Sequence, residues 1–151
     1  MFNDTIKAAG DVTIVVTDKD GNIKEERHIP NMVVTLGKNH IAARIAGLLT
    51  TAGQIGAPIS HIGFGTSAIV PSLTDTGLLS QVGVRAVTTP TVSENTVTLS
   101  ASFTGTTANI TEAGIFNSLA GTSNLICRTT FGVVPLLSSE TLSISWALKI
   151  N

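Results

Sequence analysis

A chain of 151 residues with 42% hydrophobic content and a mean hydropathy of +0.37 is too apolar for disorder and long enough to bury one core without staples. Its formal net charge of -1 lacks the clustered positive charge that phosphate neutralisation demands, so no nucleic-acid partner is expected. The single Cys127 leaves no internal disulfide and no multi-cysteine zinc site.

Charged residues make up 13% of the chain, about half the usual share of ~25%. They crowd into the start: Asp4, Lys7, Asp11, Asp18, Lys19, Asp20, Lys24, Glu25, Glu26, Arg27, Lys38 and Arg44 precede position 45. Beyond it stand only Asp75, Arg85, Glu94, Glu112, Arg128, Glu140 and Lys149, and polarity comes from Ser, Thr and Asn. Such a surface loses little on desolvation and suits burial against another protein, although a compact β domain with a Thr-rich face has the same composition. The opening MFNDTIKAAGD holds Asp4 and Asp11 and no apolar signal core, and IAARIAGLL is too short and too charged to span a bilayer. The expectation is a protein made in a cytoplasm, with no membrane partner.

In chain order, DVTIVV (Asp11 to Val16) is β-branched, Asp20-Gly21 supplies a hairpin turn, and IKEERHI alternates on the return until Pro30, which is expected to stop it. Residues 1–35 thus read as a charged hairpin and strand. GKNHIAARIAGLL sets Ile41, Ala42, Ile45, Leu48 and Leu49 at helical spacing, predicting one α-helix near residues 38–49, within segment 36–50. ISHIGFGTS reads as a short strand ending in a glycine turn, and PSLTDTGLLSQ as a single helical turn capped by Thr74 or Asp75.

From residue 83 the period becomes two. GVRAVTT reads as a strand. TVTLSASF opposes Val97, Leu99, Ala101 and Phe103 to Thr96, Thr98, Ser100 and Ser102. ITEAGIF and NLICRTTF flank the turn NSLAGTS, and the last strand opposes Leu142, Ile144, Trp146, Leu148 and Ile150 to Thr141, Ser143, Ser145, Ala147 and Lys149. Short strands with Gly and Ser turns between them predict a mainly β fold: an antiparallel β-sandwich or jelly-roll-like barrel with one helix. The main strands are placed over 59–151, and 1–151 is read as a single domain.

The catalytic templates fail. GFGTSA mimics a dinucleotide fingerprint at Gly63, Gly65 and Ala68, but Pro71 follows where a helix must start. DKDGN has Asp18, Asp20 and Asn22 at alternate positions, yet Gly21 comes too early for a calcium loop. His28, His40 and His61 show no metal spacing, no G-x-S-x-G elbow exists, and Cys127 inside a strand reads as a small hydrophobe. Glu112, Arg128 and Arg85 remain, charged residues in strand-like runs of a charge-poor region. A lone carboxylate lacks the partners of acid–base chemistry, whereas charges kept among strands are generally paired. They are candidates for a structural ion pair, with either arginine as the partner of Glu112. No catalytic residue, metal site or cofactor is assigned, and a non-enzymatic role is expected.

The succession HIGFGTS, TDTGLLSQV, VRAV, VTLSASF, ITEAGIFN, LICRTTF and LSISWALKI, over residues 60 to 150, resembles a group of tailed-bacteriophage virion proteins. These include head decoration (cement) proteins and tail-fibre or appendage modules. The matching positions are Gly63, Gly65, Thr66, Leu78, Arg85, Glu112, Gly114, Phe116, Arg128, Phe131 and Trp146. The chain departs from the pattern at Gln81, where an acid often precedes the arginine, and in having Ile115 after Gly114. The resemblance implies a virion structural protein and supplies no catalytic residue. A small chain without fibre repeat or coiled coil fits a capsid decoration protein that bridges major capsid subunits. The alternative is a tail appendage contacting tail or baseplate proteins, for which 4% aromatic content and no Tyr give a poor sugar-stacking surface. The resemblance further implies a homodimer or homotrimer on the capsid surface, made in the host bacterial cytoplasm. The hairpin residues Asp18, Lys19, Asp20, Lys24, Glu25, Glu26 and Arg27 are then one candidate partner contact, and the hydroxyl-rich β face another.

Overall fold

The β-branched and alternating runs all become strands. A computed structural model of the chain describes residues 5–48, 57–122 and 124–151. Along it lie β1 (Ala8–Thr17), β2 (Ile23–Val33), α1 (Thr35–Ile45), β3 (His61–Gly65), β4 (Gln81–Val87), β5 (Thr91–Ser93), β6 (Thr96–Phe103), β7 (Ala108–Phe116), β8 (Leu125–Leu136) and β9 (Thr141–Ile150). The fold is mainly β with one helix. All nine strands join one antiparallel sheet in the order β4-β3-β7-β8-β2-β1-β9-β6-β5.

That sheet is curled. Phe64 of β3 and Phe103 of β6 lie near opposite ends of the strand order, yet their rings meet edge-on with centroids 4.8 Å apart. The core fills the concavity. Val12, Ile14 and Val16 point inward from β1, and Val12 stands level with Trp146, which stands level with Leu99. The period of two carries through β9, where Leu142, Ile144, Trp146 and Leu148 are buried and Lys149 is exposed.

Pro30 does not stop β2, which continues to Val33. The Pro30 carbonyl accepts a hydrogen bond from the Thr129 hydroxyl of β8 at 2.8 Å. In a strand the nitrogen and carbonyl of one residue face the same edge, so the missing N–H of Pro30 faces β8 as well. The β2–β8 ladder comprises only Met32 and Val33, and no ladder bond is lost at Pro30. A shorter surprise is β5: Ser93 and Thr96 pair across a two-residue turn in which Glu94 takes φ +52°, a conformation more typical of glycine.

The helix differs from its expected limits and its expected face. It spans Thr35–Ile45 rather than 38–49, because Gly47 (φ +72°) closes it with a Schellman motif, Gly47 N–H bonding Arg44 O and Leu48 N–H bonding Ala43 O. Residues 49 and 50, at the expected C-terminus, lie outside the described residues. The buried positions are Gly37, His40 and Ala43, while Ile45 is 71% exposed. The reason is close approach: a Cβ on Gly37 would lie 2.2 Å from the carbonyl oxygen of Ile126 on β8. The sheet accepts the small face of α1 and turns the larger isoleucine outward. The helical turn expected around residue 75 is instead a β-turn, with Asp75 N–H bonding Ser72 O at 3.1 Å.

β7 and β8 form the middle of one half of the sheet, and both lose their alternation. Every residue from Ile110 to Phe116 is buried, as is every residue from Leu125 to Thr129. One face meets the core. Against the other pack Leu36 of α1 and Leu78, around Val34, Phe116 and Leu125. This doubly covered stretch receives the buried charges.

A glycine in a helix normally costs about 1 kcal/mol relative to alanine. Gly37→Ala should invert that sign and lower the unfolding free energy by about 1–3 kcal/mol, through the clash with Ile126. Equilibrium unfolding in urea checks it, and a stabilised variant would refute the close-packing account.

Candidate functional site

Glu112 on β7 stands opposite Gly65 of β3 on one side and Thr130 of β8 on the other. Arg128 is two residues from Thr130, hence on the same face of the sheet and diagonal to Glu112. Both side chains are fully buried. Arg128 donates from Nε to Oε2 of Glu112 at 2.9 Å, and its Nη2 also lies 2.9 Å from that oxygen. The same guanidinium reaches Asp75 Oδ2 through Nη1 and the carbonyl of Ile69 through Nη2, each at 3.0 Å. Glu112, Arg128 and Asp75 form one cluster.

The carboxylate of Glu112 also accepts from the backbone. Ser80 N–H reaches Oε1 at 2.7 Å, with Ser67 N–H at 3.4 Å, and Leu79 N–H reaches Oε2 at 3.2 Å. Both ends of the segment between β3 and β4 are thereby held by one side chain. Thr66 N–H adds a bond to Ser80 O at 3.0 Å, Asp75 Oδ2 accepts Ser72 N–H at 2.9 Å, and Leu73 O accepts the first helical amide, Thr35 N–H, at 2.9 Å. Gly65 makes this possible. A Cβ there would lie 2.5 Å from Glu112 Oε1 and 2.3 Å from Ser80 O. An isolated buried carboxylate is strongly unfavourable, whereas one that accepts several N–H bonds and a guanidinium is compensated.

Arg85 is engaged elsewhere. From β4 it donates to Gln81 Oε1 at 3.0 Å, Asn124 Oδ1 at 2.9 Å, Ser118 O at 3.2 Å and Gly121 O at 3.2 Å. Its guanidinium lies 3.5 Å from the centre of the Phe116 ring, and burial lowers its pKa. It closes the 117–124 turn, where Asn124 Nδ2 in addition donates to Ser118 Oγ and Ala120 O. Gln81 thus accepts from the arginine without carrying a charge of its own.

The remaining candidate residues are scattered. His28 contacts Glu26 and Thr13 on the surface, and His61 contacts Ser60, its pKa lowered by burial and by Arg85. His40 is buried on α1, and its Nδ1 has no hydrogen-bond partner among the described residues. Cys127 is fully buried, and burial pushes its thiol far up, which leaves it unreactive. In the hairpin turn Asp18 accepts from the amides of Asp20 and Asn22, each at 2.9 Å, and the Asn22 amide bond chiefly lowers its pKa. Lys24 pairs with Glu140, Arg27 with Glu25, and Lys19, Asp20, Lys24 and Glu26 are exposed. Among the described residues no three His, Cys, Asp or Glu side chains assemble as metal ligands would. Gly63 and Gly65 lie within β3, followed by loop rather than helix, so no helix N-terminus faces them.

Sequence reasoning offered Thr74 or Asp75 as a helix cap and missed the part Asp75 plays in the cluster. The available signal was its isolation: it is the only charged residue between Arg44 and Arg85. Chemically, the cluster binds chain to chain. Glu112 is enclosed and its oxygens are occupied by four donors, so it stands as a structural clasp.

Two outcomes follow. Arg128→Met should destabilise by about 3–5 kcal/mol, since it leaves the buried Glu112 carboxylate without its cation. Glu112→Gln should cost less, about 1–3 kcal/mol, because Asp75 still pairs with Arg128 while a side-chain amide now faces N–H donors. The double variant should lose less than the sum, by about 0.5–3 kcal/mol, in denaturant titrations; strict additivity would dissolve the clasp. Burial, aided by Arg44, holds the pKa of His40 below its ordinary 6.5. The unfolded chain therefore binds a proton that the folded chain refuses, and stability falls as pH drops from 6.5 through the folded value. Urea midpoints against pH should show this acid-side slope, reduced in His40→Gln.

Compared with known proteins, the chain matches no family model, no curated protein and no solved structure.

Proposed function

We propose that the chain is a non-enzymatic structural protein of a tailed-phage virion, specifically a capsid decoration protein that binds the outer head shell and bridges major capsid subunits. One observation carries the reading: the buried charges of the β3, β4, β7 and β8 half hold architecture together, and the outward face of β6 and β9 is made mainly of hydroxyls. Glu112, Arg128 and Asp75 fix a loop, and Arg85 fixes a turn. Outward, β6 and β9 present hydroxyls that bond to each other, Ser100 to Ser145 at 3.0 Å and Ser102 to Ser143 at 3.2 Å. Such a face is cheaply desolvated against a protein partner. In this reading the curled sheet is a β-sandwich or jelly-roll-like body, and the charged hairpin offers a second, polar contact.

Decoration acts by linkage. A protein that binds only the assembled shell stabilises it by about 2.7 kcal/mol per site at a free concentration of ~100 Kd. The tail-appendage alternative shares the resemblance, but the single Trp146 is fully buried in the core and unavailable for stacking on a sugar.

A C-terminal tag labelled in intact particles separates the two. Signal distributed over heads is expected; signal confined to tails would overturn the decoration reading. Heads lacking the protein should also open at lower temperature than decorated heads.

A further inference from the structure

We infer that the groove between α1 and the segment leading into β1 binds a small anionic amphiphile, a single alkyl chain ending in a carboxylate or comparable acidic headgroup. The inference does not depend on where the protein resides. The groove has a volume of about 510 Å³, within the range of small-molecule sites. Lys38, Ile41 and Ile45 form its wall on the helix, at the spacing that puts residues on one helical face. Ile6, Lys7 and Ala8 form the facing wall. Paired backbone bonds fix that wall: Lys7 N–H donates to Asn151 O at 2.6 Å, and Asn151 N–H donates to Lys7 O at 2.7 Å.

The apolar lining follows from how the helix is docked. The sheet takes Gly37, His40 and Ala43, so Ile45 is left 71% exposed, and Ile6 across the groove is 70% exposed. Exposed apolar groups gathered in one concavity mark a site for an apolar guest. Size excludes a folded partner, because a stable protein interface takes about 20–30 residues a side and, among the described residues, seven line this groove.

Charge identifies the headgroup. Lys7 and Lys38 are both exposed, and no acidic residue lines the groove among the described residues. Lys24, Arg27 and Arg128 each pair with a carboxylate, whereas among the described residues neither groove lysine does. Two ammonium groups beside an apolar floor attract an anionic head and repel a cationic one, while the alkyl chain covers the isoleucines. A neutral apolar guest would leave both charges unused. A bilayer surface is a poorer match, because it is flat where this site is concave.

Amide NMR titration of the full chain with decanoate, held below its micellar concentration, tests this. Decanoate should shift the amides of residues 6–8 and 38–45, and decanol should bind at least about 10-fold more weakly. Lys7→Glu and Lys38→Glu should each weaken decanoate binding at least about 10-fold while leaving decanol unaffected. Ile45→Ser should weaken both ligands, since it removes apolar wall and no charge. Lys19→Glu makes the same change of net charge in the exposed hairpin turn and should leave the affinity intact. All four replaced side chains are exposed, so the variants should keep the wild-type circular dichroism. Absence of decanoate binding overturns the inference, as do shifts confined to other residues. Equal affinity for decyltrimethylammonium overturns it too, as does a loss with Lys19→Glu as large as with Lys38→Glu. A chain that ignores decanoate yet sediments with phosphatidylglycerol vesicles overturns it in favour of a membrane surface.

Discussion

The contact between Glu112 and Arg128 organises this half of the molecule. It joins β7 to β8 across their shared outer face, and through Nη1 and Nη2 the guanidinium reaches Asp75 and Ile69 in a segment far away in sequence. The free energy of such a cluster is not a simple gain, because two carboxylates and a guanidinium must leave water. What makes it tolerable is the number of backbone amides that converge on the carboxylates. The same amides belong to the segment that then has no freedom to move. A buried charge therefore converts an irregular connection into a rigid part of the fold.

Glycines set how closely the backbones can approach around this cluster. Gly65 lets the Ser80 carbonyl and the Glu112 carboxylate share the space where a side chain would stand, and Gly37 lets α1 lie directly on the Ile126 carbonyl. Both are close-approach positions rather than turns, and neither requires a positive φ. The resulting outer layer of helix and loop covers β7 and β8 on their second face. That cover explains why the central strands carry apolar, unalternating sequence while β6 and β9 alternate cleanly.

Most strands were legible because their side chains face one core and one solvent, and that contrast leaves a period of two in the sequence. TVTLSASF and TLSISWALKI are the clearest cases. The misreadings have local causes. Pro30 was expected to stop its strand, but the β2–β8 ladder is confined to Met32 and Val33, so the missing N–H costs no ladder bond. The helix was assigned to its apolar stripe, whereas packing selected Gly37, His40 and Ala43. β5 escaped notice because it has three residues and its turn uses Glu94 in place of glycine.

By itself the sequence determined the β-rich class, the position of most strands, the single helix and the concentration of charge near the N-terminus, since propensity and periodicity act over neighbouring residues. It also singled out Glu112, Arg128 and Arg85, because charges are conspicuous in a charge-poor region. Only the tertiary structure decided that Arg128 joins Glu112 while Arg85 closes the 117–124 turn, and that Asp75 completes the cluster. Those pairings depend on strand register and on which segment covers the outer face. Register is a relation between distant parts of the chain, and no local pattern records it.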